Sequence, residues 1–154
     1  MNPLRAVDPD FERRVRASFG RQRFMALLGA RLESLAPGRC VVRLAVRPDL
    51  AQQHGYVHAG VTSAIADSAA GYAAYSLFPA DSSVLTVEFK INLLAPADAE
   101  ELIARAQVIR PGRTVTVVHT DVHGLKAGVE KHVAAMQATM ICLHDTPDAP
   151  ATRS

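Results

Sequence analysis

The segment GVTSAIADSAAGYAAYSLF, residues 60–78, is apolar or small at nearly every position and is followed by Pro79. Its length and composition predict one long helix, and a helix that lacks a polar face is normally buried. Asp67 is the only carboxylate in this segment. Because an ionised carboxylate is costly to remove from water without partners, Asp67 is either tolerated at the edge of the helix or has a chemical task.

The rest of the chain predicts a short amphipathic helix over residues 10–20, a strand at CVVRLAV (40–46) and several long strands after the central helix. In LTVEFKINLL (85–94), polar and apolar side chains alternate with a period of two from Thr86 onwards. The turns RPGR (110–113) and HGLKAG (123–128) separate the later strands. Consecutive strands with tight turns pair antiparallel, so we predict an α+β fold in which a curved antiparallel sheet wraps around one long helix.

Length and composition favour one domain with a real core. The chain has 154 residues, of which 49% are hydrophobic and 21% charged, and its net charge is +2. That charge is too small to indicate a nucleic-acid partner, no apolar run suggests a membrane span, and no secretory core precedes the domain. We therefore expect a cytoplasmic protein, with Cys40 and Cys142 as buried free thiols.

The predicted domain organisation has three parts. Residues 1–26 form an N-terminal segment with a short helix, residues 27–144 form the folded domain, and the polar, proline-containing residues 145–154 are expected to be disordered.

Spacing within the central helix suggests that Asp67 faces a groove. Gly60, Ser63, Ala64, Asp67 and Gly71 lie three and four residues apart and therefore on one helical stripe, on which every neighbour of Asp67 is small. Such a stripe could admit a thin ligand beside the carboxylate. Alternatively, the carboxylate binds the backbone of a neighbouring subunit across a close-packed seam.

The start of the helix adds further polar groups. His58 stands immediately before the helix, and the N–H groups of Ala59 and Gly60 are expected to be free at its positive end. A carboxylate, a histidine and exposed amides form a set suited to acyl transfer, with a base or nucleophile and oxyanion donors. The competing interpretation of His58 is a loop residue bonded to the backbone.

These stretches resemble the hot-dog-fold acyl-CoA thioesterases of the phenylacetate-degradation (PaaI-like) type. The resemblance rests on QQHGYVHAGVTSAIADSAAGYAA (52–74), VLTVEFKINLLAPA (84–97) and AQVIRPGRTVTVVHTDVHG (106–124), and it covers about residues 27–143. It implies a hot-dog fold and hydrolysis of acyl- or arylacyl-CoA to a free acid and CoA. No separate cofactor is implied, because CoA is part of the substrate.

The resemblance also implies roles for single residues. Asp67 matches the catalytic acid, acting as general base or nucleophile, and the Ala59 N–H matches the group that polarises the thioester carbonyl. His58 matches the motif histidine beside the thioester, and Gln52 stands where the family commonly has asparagine. Thr86 matches a residue that places the attacking water. Gly60 and Ser63 fall on the substrate side of the helix.

The turn at Arg110, Gly112 and Arg113 resembles the family's turn near the CoA phosphates, although an exposed turn with solvated charges explains it equally well. In such enzymes two subunits join their sheets, and the acid of one faces the histidine loop of the other. The resemblance therefore implies a homo-oligomer, either a dimer or a homotetramer built as a dimer of dimers.

Two other functions remain open from the sequence. The same fold hosts acyl-thioester dehydratases or hydratases, for which His54 and Asp67 would be the acid–base pair, and it could serve a non-catalytic acyl-CoA binding protein. A metal site is not expected, since the pair His119 and His123 on a strand is about 13 Å apart at roughly 3.3 Å per residue.

Overall fold

The long predicted helix becomes the centre of the structure. The computed structural model describes residues 4–149. The helices are α1 (Phe11–Gly20), α2 (Arg23–Leu28) and α3 (Ala59–Tyr75). The strands are β1 (Ala30–Ala36), β2 (Arg39–Ala45), β3 (Ser83–Leu93), β4 (Glu101–Arg110), β5 (Val115–Lys126) and β6 (Val129–Leu143).

The six strands form one sheet in the order β1-β2-β4-β5-β6-β3, and every neighbouring pair is antiparallel. α3 contacts all six strands, and the core lies between α3 and the sheet, where side chains such as Leu44, Ile65 and Met136 are buried. This confirms the predicted α+β hot-dog architecture. Burial of so many side chains against one helix explains why α3 needs no polar face.

Strand β3 forms an edge of the sheet and carries exposed apolar side chains. Leu85, Val87 and Phe89 are 57%, 58% and 43% exposed, and Leu93 and Leu94 are 57% and 53% exposed. A long apolar edge strand presents unpaired backbone groups that can pair with another chain. The β3 edge combines exposed apolar side chains with backbone groups of this kind.

The short helix α2 was not predicted from the sequence. Residues 24–35 form an apolar run that offers no obvious break, but Gly29 ends α2 with a left-handed φ of +78°. A residue with a side chain is strained there, whereas glycine turns the chain directly into β1.

A buried ion pair fixes α1 against the end of α3. Arg14 Nε lies 2.8 Å from Asp8 Oδ2, and Arg14 Nη2 donates to the Phe78 carbonyl at 2.8 Å. The same guanidinium lies 4.2 Å from the centre of the Tyr75 ring. These contacts bring the N-terminal segment onto the C-terminal end of α3.

The remaining expectations concern the chain ends and the thiols. Cys40 and Cys142 are free and buried, as predicted. Of the tail expected to be disordered, residues 150–154 lie outside the described residues, while Asp148 pairs with Arg21 at 2.8 Å. Within residues 4–149, no helix has the length and apolar character required to cross a membrane.

Candidate active site

Asp67 lies midway along α3 and is held by a threonine of the edge strand. Its Oδ1 accepts a hydrogen bond from Thr86 Oγ1 at 2.7 Å. Burial raises the pKa of the Asp67 carboxyl above its ordinary value, and the Thr86 hydrogen bond lowers it in part. Within the described part of the chain, Asp67 forms no ion pair. The carboxylate is thus oriented by Thr86 and partly desolvated by burial, and no cation of the described chain pairs with it. These are the properties expected of a general base.

A bulge in β3 brings Thr86 to Asp67. Thr86 pairs with Met140 and Glu88 with Thr139, so that Val87 is an extra residue between two pairs. Met140 is fully buried on the face of the sheet that packs on α3. The predicted strict alternation is therefore wrong at this point, because the extra residue moves Thr86 to the same face as Phe89.

The accessible face of α3 is the stripe identified by spacing. Gly60, Ser63, Ala64, Asp67 and Gly71 are all accessible, whereas Ile65, Ala69 and Tyr72, which lie on another face of the helix, are buried. Ser63 Oγ donates to the Ala59 carbonyl at 2.9 Å and so is satisfied within the helix. Of this stripe, Asp67 and Gly71 line a cavity, whereas Gly60 and Ser63 are accessible without lining any of the three cavities described below.

His58 caps the start of α3 with its own ring. Its Nδ1 accepts a hydrogen bond from the Gly60 N–H at 2.8 Å, and its carbonyl accepts from Val61 and Thr62 at 2.9 and 3.3 Å. Of the N–H groups in this first turn, only that of Ala59 has no acceptor among residues 4–149. The sequence predicts two free amides, at Ala59 and Gly60, but the histidine cap uses that of Gly60.

The cap determines which ring nitrogen of His58 can donate. An Nδ1 that accepts from Gly60 is unprotonated, so in the neutral ring the proton is on Nε2, which can donate to a ligand. Glycine at position 60 permits this ring position, because a Cβ there would lie 2.9 Å from His58 Nδ1 and the ring would have to move.

Gln52 and Ala59 share one cavity. Gln52 Oε1 accepts a hydrogen bond from the His54 N–H, so its side-chain NH2 remains as a donor. Together with Thr62, Leu93 and other residues, Gln52 and Ala59 line a cavity of about 380 Å³. This cavity does not include Asp67.

Asp67 and Thr86 line a second and larger cavity of about 910 Å³, together with Gly71 and Tyr72 of α3. Residues of the N-terminal segment, including Ser18 and Gln22, also line this cavity, and no sequence motif connects them with Asp67. Tyr72 Oη bonds Ser18 Oγ at 3.2 Å and accepts from Gln22 Nε2 at 3.0 Å. The hydroxyl of a tyrosine in a buried apolar helix needs a polar partner, but the sequence does not show which residue supplies it.

The predicted site residues therefore form three groups within one chain. Asp67 comes eight residues after Ala59, which is about 12 Å along the helix at roughly 1.5 Å per residue. Gly112 and Arg113 line a third cavity of about 350 Å³ with His144, and Arg110 is the last residue of β4 at the start of the same turn. One thioester carbonyl cannot contact both Asp67 and the Ala59 amide of the same chain.

Comparisons with known proteins agree on one family. A profile described as the thioesterase superfamily matches residues 54–130. The 1,4-dihydroxy-2-naphthoyl-CoA hydrolase of Listeria monocytogenes is 32% identical over 90 residues, which are 58% of this chain and 73% of that protein.

Solved structures agree as well. A thioesterase family protein from Silicibacter pomeroyi has a TM-score of 0.86 at 46% identity, covering 87% of this chain and 98% of the other. The E. coli PaaI protein of the phenylacetic acid degradation operon shares the fold, with a TM-score of 0.81 at 23% identity over 90% of this chain and 96% of its own.

Proposed function

This chain belongs to the thioesterase superfamily and is a thioester hydrolase, and we propose that it hydrolyses acyl- or arylacyl-CoA to a free acid and CoA. The observation that carries the proposal is an accessible carboxylate, Asp67, which is partly desolvated and oriented by Thr86 in a large cavity. The named activity of the Listeria relative on an arylacyl-CoA supports the same substrate class.

In the proposed reaction Asp67 acts on water. Its carboxylate accepts a proton while the water oxygen bonds to the thioester carbonyl carbon, and Thr86 helps to place that water. The oxyanion that forms accepts a hydrogen bond from the Ala59 N–H. When the tetrahedral intermediate collapses, the C–S bond breaks, CoA leaves as thiolate and the proton held by Asp67 returns to solvent or to the thiolate. A thiolate is a good leaving group, so no strong general acid is needed.

The oxyanion donor would come from a second subunit. Asp67 and the Ala59 amide of one chain are too far apart for one carbonyl, and they line different cavities. Edge-to-edge pairing of β3 with its copy would cover Leu85, Val87 and Phe89 and extend the sheet across both chains. Two equivalent sites would result, each with Asp67 from one chain and Ala59 from the other.

His58 and Gln52 would orient the substrate. Nε2 of the neutral His58 ring is a donor near the Ala59 amide, and the free NH2 of Gln52 lines the same cavity as that amide. Both groups can donate to the thioester carbonyl or to the pantetheine amides. The turn at Gly112 and Arg113 remains our proposal for a contact to CoA phosphates.

Release of free thiol from a panel of acyl- and arylacyl-CoA esters tests the substrate class. We expect the wild-type protein to release CoA from at least one member with turnover that requires no added cofactor. With a 3-hydroxyacyl-CoA included in the panel, a parallel record of enoyl-CoA absorbance detects the dehydratase reaction, in which this ester loses water. Enoyl formation without thiol release, or tight binding of every ester without thiol release, would contradict the proposal.

The Thr86→Val variant tests Asp67 as the base. The Thr86 hydrogen bond lowers the Asp67 pKa, so its removal is expected to raise that pKa further. A base is active when ionised, so kcat/KM falls as the pH drops through this pKa. The acidic limb of the pH profile of kcat/KM should therefore move to higher pH in the variant.

The matched control for this experiment is Thr139→Val. Thr139 Oγ1 also donates to a carboxylate, that of Glu88, but the pair lies on the outer face of the sheet. Its pH profile should coincide with that of the wild type. An acidic limb that stays in place or moves to lower pH in Thr86→Val would show that Asp67 is not the titrating base.

A further inference from the structure

The cavity that contains Asp67 has a cationic side. Arg21 and Arg23 of the N-terminal segment line it together with residues of α3 and β3. Arg21 Nη2 donates to Oδ2 of Asp148 at 2.8 Å and to its carbonyl at 3.0 Å. Asp148 and Ala149 line the same cavity, so the C-terminal segment lies against its rim.

These arginines do not serve to balance Asp67. The carboxyl of Asp67 is influenced by burial and by the Thr86 hydroxyl, and neither Arg21 nor Arg23 forms an ion pair with it within residues 4–149. Arg21 instead binds a carboxylate of the tail. The Arg21 guanidinium lines the cavity, and its partner is an aspartate of the C-terminal segment. It is therefore available to a ligand.

We propose that Arg21, assisted by Arg23, binds an anionic group of the substrate, and that Asp148 occupies the Arg21 guanidinium until that group replaces it. The proposal rests on the proposed function, since the ligand is the thioester that Asp67 acts on. Two parts of such a substrate could supply the anion: the phosphates of CoA, or a carboxylate at the far end of the acyl group.

The Arg21–Asp148 ion pair is weak enough for a substrate anion to replace Asp148. The side chains of Arg21 and Asp148 are 40% and 29% exposed. Pairs this exposed typically contribute about 0–1 kcal/mol. A guanidinium matches phosphate or carboxylate oxygens with two parallel hydrogen bonds, and a phosphate carries more charge than Asp148. A substrate anion can therefore displace the aspartate at small cost.

This anion site differs from the turn suggested by the family resemblance. Gly112 and Arg113 line a separate cavity that does not include Asp67. Arg21 shares a cavity with the carboxylate itself, so it would contact the part of the substrate that enters there.

The test compares Arg21→Gln and Asp148→Asn with the wild type on matched thioesters. One substrate is a neutral acyl group on CoA, the second is the same acyl group on N-acetylcysteamine, which has no phosphate, and the third is a dicarboxylic acid monothioester of N-acetylcysteamine. For whichever substrate carries the recognised anion, Arg21→Gln should raise KM about tenfold, the equivalent of about 1.4 kcal/mol. Asp148→Asn should lower KM for that substrate by removing the competitor.

The control is Arg13→Gln, which removes an arginine of α1 that pairs with Asp10 and is 82% exposed away from the cavity. An effect of Arg21→Gln confined to the CoA ester identifies the phosphates, and one confined to the dicarboxylic ester identifies the acyl carboxylate. If Arg21→Gln alters KM no more than Arg13→Gln on all three, or if Asp148→Asn raises KM, the proposal is wrong.

A binding measurement separates this proposal from the proposed function. Calorimetric titration of CoA and of a free dicarboxylic acid into Asp67→Asn requires no turnover. If the double variant Asp67→Asn/Arg21→Gln binds CoA or the dicarboxylic acid more weakly than Asp67→Asn does, the anion site is supported even if Asp67 proves not to be the base. Unchanged binding of both contradicts the anion site even if hydrolysis proceeds as proposed.

Discussion

Replacing Asp67 with asparagine is expected to lower kcat by roughly 10²–10⁴-fold, the range typical for loss of a general base. Asparagine has nearly the same shape and its carbonyl can still accept the hydrogen bond from Thr86, but it cannot take a proton from water. KM should change little, because the side chain keeps its size in a large cavity. The measurement is steady-state thiol release at saturating and limiting substrate.

The same variant should keep or slightly increase its thermal stability. Burial raises the pKa of Asp67, which means that folding disfavours the ionised carboxylate at neutral pH. A neutral amide removes this cost. Ser68→Ala, at the next position on the same cavity, is the matched control for a change in α3. Thiol release by a folded Asp67→Asn protein at the rate of this control would refute the catalytic role of Asp67.

The second large effect is expected from Ala59→Pro, which replaces the N–H at the proposed oxyanion site with a ring carbon that cannot donate a hydrogen bond. Ala59 is the first residue of α3, where proline is well tolerated, and its N–H has no acceptor within the described chain. His58 has φ −61° and ψ 136°, which is the conformation preferred before proline. The helix should therefore form normally, while kcat falls by roughly 10²–10³-fold, as for loss of one oxyanion donor.

Ala59→Gly is the control, because it also changes the side chain but keeps the N–H. It should retain most of the activity. Far-ultraviolet circular dichroism and thermal unfolding establish that both variants keep α3. Equal activity of Ala59→Pro and Ala59→Gly would mean that this amide does not stabilise the oxyanion.

Much of the fold could be predicted because the pattern of α3 is unusual. A long segment of small and apolar residues with one carboxylate can bury its side chains in few ways other than as a helix covered by a sheet on one side. The spacing from Gly60 to Gly71 also indicated the face that remains accessible. These are local properties of the sequence, and periodicity reports them directly.

The details that position the site depend on contacts that periodicity does not encode. The bulge at Val87 moves Thr86 to the helix-facing side, and it arises from the pairing of β3 with β6. The use of the Gly60 amide by His58 depends on the ring conformation of the cap. The place of Arg21 and Gln22 beside the Asp67 cavity depends on how α1 packs on α3, which involves residues about 50 positions apart.

The most direct test of the account is whether two inactive variants restore activity together. Asp67→Asn and Ala59→Pro chains that carry different tags are co-expressed. The mixed oligomer is purified through both tags in succession, and its activity is compared with that of the unselected pool. If each site takes Asp67 from one subunit and the Ala59 amide from the other, half of the sites in a mixed dimer are intact. Random pairing of equal amounts then gives about a quarter of wild-type activity in the pool. Activity no higher than that of the two parent variants would contradict a site shared between subunits.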